Sequence, residues 1–283
     1  MANIQFQKMQ GAGNDFVMID NRHSGHPLIN LRKWCPTLCD RRFGIGADGI
    51  ISLQNDPGTE NCDFEMVYLN ADGSDAGMCG NGGRCIARFA YASGLSKEMT
   101  FRVHDELYNA KVLDDYRVEL QFPMSVKVPR LFDVNQHSIY SLKPGTEHAV
   151  CLISEEQLKD RDQLYPLARS IKSRKDLFPA GTNVNFVADN FENISGEIQI
   201  ETYERGVEDF TYACGTGAIA SAISAHQRGS FSKPDQAHPK RWCVSCAGGQ
   251  LEVSFDYDPD AQIYHNISLK GPAEFVFKGE IQL

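Results

Sequence analysis

A short cysteine–glycine sequence occurs twice in this chain of 283 residues, and no other feature constrains the fold as strongly. The first copy is Cys79-Gly-Asn-Gly82 and the second is Cys214-Gly-Thr-Gly217, an offset of 135 positions (214 − 79). The same offset aligns Tyr68 with Tyr203. Each copy follows a strand-like segment and precedes a run of small residues with helical character. The pattern predicts a duplicated unit, with one cysteine just ahead of a helix N-terminus in each copy.

Length, charge and hydropathy narrow the class of protein. The length suggests two domains of about 150 residues each, and 42% hydrophobic and 23% charged residues are ordinary for a globular protein. The formal net charge of -9 argues against a nucleic-acid partner, which needs a basic face. No apolar run approaches the roughly 20 residues of a membrane span, and the N-terminal segment lacks the apolar core of a signal peptide. We therefore expect a cytoplasmic protein that does not contact membranes.

Nine cysteines cannot all pair within one chain, because the number is odd. In a reducing compartment most of them should be free thiols. The spacing of Cys243 and Cys246 is compatible with zinc or redox chemistry. This pair lies in a predicted hairpin strand, and the only similarly spaced pair is Cys35 with Cys39. We predict no metal site there. The repeated glycines distinguish Cys79 and Cys214 from the remaining cysteines, which are typical of small buried apolar residues.

The chain is predicted to alternate short strands with a few helices. A helix is expected to begin after Asn30 as its N-cap, and residues 129–146 are interpreted as a connection into the second half. The last strand is expected to return to the first domain. The predicted domains are 1–128 with 270–283, carrying Cys79, and 129–269, carrying Cys214. The predicted strands are 4–10, 16–19, 50–53, 62–69, 148–153, 183–188, 198–203, 242–246, 251–255 and 273–277.

The two cysteine segments suggest acid–base chemistry at carbon. Asn81 and Thr216 occupy equivalent places and are both favoured N-cap residues. A helix N-terminus carries partial positive charge and N–H donors. It lowers the pKa of a nearby thiol and binds carboxylates. Two such termini that face each other would hold one substrate carboxylate between two thiols. That arrangement suits stereoinversion, in which one thiolate removes the α-hydrogen and the opposite thiol returns a proton.

Six motifs carry a more specific signal: Gly11-Ala-Gly-Asn-Asp-Phe16, Gly44-Ile-Gly46, Asn70-Ala-Asp-Gly-Ser74, Met78-Cys-Gly-Asn-Gly82, Tyr203-Glu-Arg-Gly206 and Ala213-Cys-Gly-Thr-Gly217. Together they resemble the diaminopimelate epimerase family over essentially the whole chain. The resemblance implies an α+β fold of two pseudo-symmetric domains, each a mixed, mostly antiparallel sheet curled around a central helix. It also implies epimerisation of LL-2,6-diaminopimelate to meso-diaminopimelate, for lysine and peptidoglycan precursors. It further implies that no cofactor is needed and that the protein is a homodimer.

The resemblance assigns roles to individual residues. Cys79 and Cys214 match the acid–base pair, and His148 and Glu204 match positions that assist catalysis. Further matches bind the amino-acid substrate. For the reacting end of the substrate they are Asn14, Gly80, Asn81, Gly215 and Thr216, and for its distal end Asn70, Asn183 and Arg205. Glu204 is also expected to bind substrate, as is Thr146, which occupies a position that contacts the distal end.

Two departures from the family pattern bear on specificity. Thr146-Glu147 precedes His148 where the family commonly has Asn-Pro, and Gly49 stands where Gln is common. Two alternatives therefore stay open beside diaminopimelate epimerase. The chain could be a racemase of the same family acting on another amino acid, such as histidine. It could also belong to a different class, the zinc-binding or thiol-redox proteins.

Overall fold

The computed structural model describes residues 3–56, 58, 61–188, 196–232 and 240–283. The chain divides into two compact units, Met1–Pro123 with Lys270–Leu283 and Met124–Leu269. Cys79 lies in the first unit and Cys214 in the second. Within the described ranges, no helix has both the length and the apolar character needed to cross a bilayer.

The first unit is a mixed sheet with three helices among its described residues. Its helices are α1 (Asn21–Ser24), α2 (Leu28–Cys39) and α3 (Gly80–Ala92). Its strands are β1 (Asn3–Gly11), β2 (Asn14–Asp20), β3 (Gly49–Gln54), β4 (Phe64–Asn70), β5 (Glu98–Val103), β6 (Glu106–Val112), β7 (Arg117–Gln121) and β18 (Glu274–Gln282). The expected return of the last strand is confirmed, because β18 pairs antiparallel with β1.

The second unit is built in the same way. Its helices are α4 (Glu155–Leu158), α5 (Arg161–Lys172) and α6 (Gly215–Ser232). Its strands are β8 (Val126–Lys127), β9 (Arg130–Val134), β10 (His137–Leu142), β11 (His148–Ile153), β12 (Asn183–Ala188), β13 (Glu197–Tyr203), β14 (Phe210–Thr211), β15 (Arg241–Cys246), β16 (Gly249–Asp258) and β17 (Ile263–Pro272). The last residues of β17 already belong to the first unit.

The order of strand pairing shows the duplication directly. In the first unit, the pairs along β18-β1-β2-β3-β4-β5-β6 are antiparallel, antiparallel, parallel, antiparallel, parallel and antiparallel. In the second unit, β9-β10-β11-β12-β13-β15-β16 repeats that series without a change. The predicted α+β fold, with a mixed and mostly antiparallel sheet in each of two related units, is therefore confirmed.

A helix lies at the centre of each unit for a topological reason. Helix α3 connects the parallel strands β4 and β5, and α6 connects the parallel strands β13 and β15. Parallel neighbours require such a crossover connection. Each helix contacts strands from much of its own sheet. Glycine and alanine dominate the first turns, so the sheet approaches the helix closely, and nearly every residue of α3 is buried.

Two local predictions were wrong. Residues 129–146 are not a mere connection, since they contain β9 and β10, which pair as a hairpin. Its turn residues Asn135 and Gln136 both have positive φ, the geometry of a tight hairpin turn. Helix α2 begins at Leu28 after Pro27 rather than after Asn30. Proline favours helix starts because its φ is fixed near the helical value.

A charged network fixes the β1–β2 hairpin against the loop that precedes β3. The carboxylate of Asp15 lies 2.7 Å from Lys8 and 2.8 Å from Arg41, and Arg41 also contacts Asp48 at 2.8 Å. Burial alone would raise the pKa of Asp15, but the hydrogen bonds from Arg41 and Lys8 outweigh it and lower this pKa to about 2. The network holds Asn14, the neighbour of Asp15, in a fixed place at the start of β2.

Replacing Asp15 with asparagine should lower the free energy of unfolding by about 2 kcal/mol at pH 7, after allowance for solvent screening. The carboxylate has a lower pKa in the folded state, so its stabilisation is complete above pH 4 and disappears as the pH falls towards 2. Urea unfolding at pH 7 and at pH 2.5 measures the difference. Asp105→Asn, in the exposed turn between β5 and β6, is the control and should behave like the unaltered protein. An Asp15→Asn variant with the same deficit at both pH values would contradict the explanation.

Candidate active site

Cys79 itself occupies the N-cap position of α3. Its backbone is extended, with φ -117° and ψ 123°, and its carbonyl accepts the first intrahelical hydrogen bond, from Gly83 N–H at 2.7 Å. The N-cap role predicted for Asn81 was therefore wrong. The side chain of Asn81 is buried and accepts a hydrogen bond from Arg84 at 2.7 Å instead. The thiol thus stands where a capping hydroxyl or carboxylate usually stands.

Asn14 presents a hydrogen-bond acceptor to this thiol. Its side-chain nitrogen donates to the carboxylate of Asp48 at 2.5 Å, which leaves Oδ1 directed towards Cys79. The distance from Cys79 Sγ to Asn14 Oδ1 is 3.5 Å. Because a carboxylate only accepts hydrogen bonds, Asp48 fixes which end of the amide faces the sulfur.

The remaining predicted residues of the first unit lie close to α3 or on the strand that precedes it. Gly80 is the first residue of α3, and its carbonyl accepts from the buried guanidinium of Arg84 at 3.0 Å. The same guanidinium donates to the Pro272 carbonyl at 3.1 Å, so it connects the start of α3 to the end of β17. Asn70 ends β4 and donates to Ser74 at 3.1 Å.

Cys214 lies directly ahead of α6, as Cys79 lies ahead of α3. The backbone N–H of Gly217 donates to Cys214 Sγ at 3.4 Å, so the thiol caps the helix. The hydroxyl oxygen of Thr216 is 3.5 Å from the same sulfur. Thr216 lies within the helix that begins at Gly215, so it was also wrong as an N-cap. Oriented donors of this kind stabilise a thiolate.

His148 connects to Cys214 through Thr216. The imidazole is fully buried, and its Nε2 lies 2.9 Å from Thr216 Oγ1 and 3.1 Å from Thr146 Oγ1. Burial, with a smaller effect of the positive charge of Arg205, lowers the pKa of His148 to about 3. The ring is consequently neutral at physiological pH. The structure therefore brings together Thr146, His148, Thr216 and Cys214.

The residues of the second unit that are predicted to bind the distal end of the substrate form a second, connected group. Asn183 accepts a hydrogen bond from the backbone N–H of Arg205 at 2.8 Å and donates to Thr146 at 3.4 Å. The guanidinium of Arg205 is exposed and uses one nitrogen to donate to the Ala180 carbonyl at 2.7 Å. Glu204 directly follows β13, beside Arg205, and is half-buried. In this group, hydrogen bonds therefore hold Asn183 in place, and the guanidinium of Arg205 is exposed.

The two departures from the family pattern have structural reasons. A side chain at Gly49 would begin 2.3 Å from the Leu69 carbonyl oxygen and 2.7 Å from the Tyr68 ring. Gln therefore does not fit at that position in this chain. The carboxylate of Glu147 lies 3.5 Å from Lys143, which offsets its negative charge.

The other cysteines lie outside these half-sites. Cys35 and Cys39 are buried one helical turn apart, with their sulfurs 3.7 Å apart, and Cys246 donates to the Gly249 carbonyl in the β15–β16 hairpin. Across the described parts of the chain, His, Cys, Asp and Glu form no cluster of three or more that could hold a metal.

Three polar residues of the half-sites were not predicted from the sequence. Asp48 orients Asn14, Arg84 orients the first turn of α3, and Asn185 contacts His148 from β12. Asp48 lies next to the predicted Gly44–Gly46 motif, and Arg84 follows the first Cys-Gly sequence. The alternating pattern around Asn185 gave no signal beyond a buried strand.

Known proteins resemble this chain along its whole length. The family model described as diaminopimelate epimerase matches residues 6–119 and 140–276. The diaminopimelate epimerase of Flavobacterium psychrophilum is 41% identical over 98% of this chain and 100% of its own length. The corresponding protein of Chlorobaculum tepidum is 36% identical, with 97% and 100% coverage.

Solved structures share the fold at low sequence identity. A phenazine biosynthesis protein of the PhzF family from Bacillus anthracis has a TM-score of 0.69 at 13% identity and covers 100% of both chains. A hydroxyproline epimerase from Agrobacterium vitis has a TM-score of 0.65, also at 13% identity, over 99% of this chain and 91% of its own.

Gly217→Ala should destabilise the protein by about 1–3 kcal/mol, because a Cβ there would lie 2.5 Å from Asn185 Oδ1 and 3.3 Å from Cys214 Sγ. Gly82→Ala should be close to neutral. Its Cβ would lie 2.7 Å from the terminal methyl of Ile51, which can move, and in ordinary contact with Met66 and Cys79, and the gain in helix propensity offsets the close contact. Thermal unfolding measures both, with Gly77→Ala as the control in open space. Equal melting temperatures for the Gly217 and Gly82 variants would contradict this reading of the second half-site.

Proposed function

Since the chain belongs to the diaminopimelate epimerase family, and is therefore an isomerase, we propose that it converts LL-2,6-diaminopimelate into meso-diaminopimelate with two thiols as acid and base. The observation that carries the proposal is the equivalent placement of Cys79 and Cys214, each directly ahead of the central helix of its unit. The product serves lysine and peptidoglycan precursor synthesis.

The proposed reaction moves one proton off the substrate and another onto it. The Cys214 thiolate takes the α-hydrogen, so the C–H bond breaks, an S–H bond forms and the electron pair stays on the carbon. The Cys79 thiol then gives its proton to the opposite face, where a new C–H bond forms and a thiolate remains. Configuration is inverted, and the two cysteines have exchanged protonation states.

The hydrogen bonds of the two half-sites support this starting arrangement. Asn14 offers the Cys79 thiol an acceptor oxygen at 3.5 Å. Cys214 instead receives the N–H of Gly217 at 3.4 Å. An acceptor stabilises S–H and a donor stabilises a thiolate. In the proposed direction from the LL to the meso form, Cys79 therefore starts as the S–H and Cys214 as the base.

The same helix starts suit the substrate's α-carboxylate. The N–H groups of Gly80 and Asn81, and those of Gly215 and Thr216, precede the first intrahelical bonds, which Gly83 and Ala218 donate. Negative charge grows on the carboxylate as the α-hydrogen leaves. One pre-oriented donor of this kind contributes about 3 kcal/mol to a transition state. The thiols and these donors supply the chemistry without a metal or an organic cofactor.

Arg205, Asn183, Asn70, Thr146 and Glu204 are proposed to bind the distal amino-acid end of the substrate. A guanidinium binds a carboxylate through two parallel hydrogen bonds. Thr146 accepts a hydrogen bond from Asn183 and lies 3.1 Å from His148 Nε2, so its hydroxyl is held beside the proposed binding group. The pairing of Glu147 with Lys143 reduces its repulsion of a distal carboxylate. These contacts favour diaminopimelate over single-ended amino acids such as histidine.

Cellular context and assembly are also proposals. All nine cysteines are free thiols, which supports the reducing cytoplasm. The net charge of -9 supports a small-molecule partner and not a nucleic acid. Phe275, Val276 and Phe277 expose 37–57% of their surface on β18, and a second copy of the chain would cover them in a homodimer.

Cys79→Ala and Cys214→Ala should each lower epimerisation by about 1,000-fold or more, because each removes one of the two acid–base groups. Conversion of LL-diaminopimelate to the meso form, followed by chiral chromatography, measures the loss. Cys243→Ala is the control, since this half-buried thiol lies on β15 and should be dispensable. Treatment of the unaltered enzyme with a chelator should leave turnover unchanged. A folded single variant with normal turnover would refute the two-thiol mechanism.

Arg205→Ala should lower kcat/KM for LL-diaminopimelate by about 10- to 100-fold, the value of one charged hydrogen-bonded contact. Its effect on lysine or histidine should be much smaller, because these substrates lack the distal carboxylate. Arg205→Lys keeps the charge but loses the two parallel hydrogen bonds. Its kcat/KM should therefore lie between those of the unaltered enzyme and Arg205→Ala. α-Hydrogen exchange in deuterated water, run on all three amino acids, provides the comparison. Faster exchange of histidine than of diaminopimelate by the unaltered enzyme would favour a racemase of the same family.

A further inference from the structure

Asn185 is fully buried in the middle of β12, directly behind the imidazole of His148. Its side-chain nitrogen lies 2.9 Å from His148 Nδ1 and 3.4 Å from the Ala149 carbonyl oxygen. Its side-chain oxygen accepts from the hydroxyl of Thr202 on the neighbouring strand β13, at 3.0 Å. Both ends of the amide therefore make hydrogen bonds, and the groups that they contact are different.

Those neighbours determine which atom of the amide faces the imidazole. A carbonyl oxygen only accepts hydrogen bonds, so the group near Ala149 must be the NH₂. That NH₂ also faces His148 Nδ1, which must then be the acceptor. The single proton of the neutral ring is left on Nε2. This nitrogen faces Thr216 Oγ1 at 2.9 Å.

We propose that Asn185 is a positioning residue that holds His148 as the Nε2–H tautomer, so that the Thr216 hydroxyl hydrogen is free to point at Cys214. His148 donates to Thr216 Oγ1, and a hydroxyl that already accepts gives its hydrogen to another group. The sulfur of Cys214 lies 3.5 Å from that oxygen. Thr146 Oγ1 at 3.1 Å and the side-chain nitrogen of Asn183 at 3.4 Å also surround Nε2, but Thr216 is its nearest neighbour. In the opposite tautomer, Nε2 would be an acceptor and would compete with Cys214 for the Thr216 hydrogen.

The packing against α6 makes this arrangement specific. A side chain at Gly217 would overlap Asn185 Oδ1, at 2.5 Å from the Cβ position. The glycine thus allows the amide to reach the first turn of the helix. The chain of contacts runs from Thr202 through Asn185, His148 and Thr216 to Cys214. Its catalytic meaning rests on the function proposed above, but the tautomer is a property of the resting protein.

The first experiment reads the tautomer without any substrate. The protein is labelled with ¹⁵N-histidine, and the ring nitrogens are observed by long-range ¹H–¹⁵N correlation at pH 7. A His148→Gln variant identifies the signals of His148 among the eight histidines. We expect the lone-pair nitrogen to be Nδ1 and the protonated nitrogen to be Nε2. A lone pair on Nε2 would overturn the proposal, whatever the enzyme's substrate proves to be.

The second experiment changes Asn185. Asn185→Asp keeps the shape but replaces the donor with an acceptor, so Nδ1 should become protonated. Asn185→Leu removes the donor and should lower kcat about 10- to 100-fold, with KM changed less than about threefold. Ser221→Ala is the matched control. It removes a buried hydroxyl of α6 that has no hydrogen-bond partner, and it should change neither the spectrum nor kcat.

The outcomes separate positioning from a purely structural role. A folded Asn185→Leu variant with normal kcat would overturn the proposal. If the Asn185→Leu variant does not fold, the Asn185→Asp variant provides the test. An unprotonated Nδ1 in the Asn185→Asp variant would show that Asn185 does not set the tautomer of His148. Failure of the unaltered enzyme to epimerise diaminopimelate would refute the proposed function, while the spectrum would still test the tautomer.

Discussion

The site depends on a thiol at a helix N-terminus, in the place where a capping side-chain oxygen is usual. Cys79 has the extended backbone of an N-cap, and Cys214 accepts a backbone N–H from the first turn of α6. The helix therefore supplies oriented N–H groups and partial positive charge beside the thiol. Each sheet packs around its central helix, so the helix start has a fixed place in its unit.

That arrangement requires the sheet to approach the first turn of the helix closely, and glycine permits this approach. The position of Gly82 faces Ile51, and that of Gly217 faces Asn185 and Cys214. A side chain at Gly217 would collide with Asn185 and Cys214, whereas one at Gly82 would displace the end of the flexible Ile51 side chain. The small-residue sequences after each cysteine are consequently requirements of packing as well as of chemistry. They explain why a duplication could be recognised from so few residues.

The sequence predicted the strands and the two cysteine-bearing helix starts well, because strand periodicity and glycine spacing are local properties. The β9–β10 hairpin was missed. Its exposed residues blur the alternation, and its turn uses Asn135 and Gln136 instead of glycine. The N-caps were predicted wrongly because tertiary contacts engage both side chains. Arg84 donates a hydrogen bond to the side chain of Asn81, and His148 contacts that of Thr216. Asn185 escaped notice since only the folded structure places it behind His148.

The two units share a pairing order, but different groups contact their thiols. In the first unit, the side-chain oxygen of Asn14, which Asp48 orients, lies 3.5 Å from Cys79 Sγ. In the second unit, the backbone N–H of Gly217 donates to Cys214, and the hydroxyl of Thr216, which His148 contacts, lies 3.5 Å from the same sulfur. The two-thiol reaction proposed above needs one S–H and one thiolate, and two identical half-sites would give neither cysteine a preference. The side chains that differ between the two half-sites are therefore where such a preference would arise, while the pairing order and the central helices are common to both units.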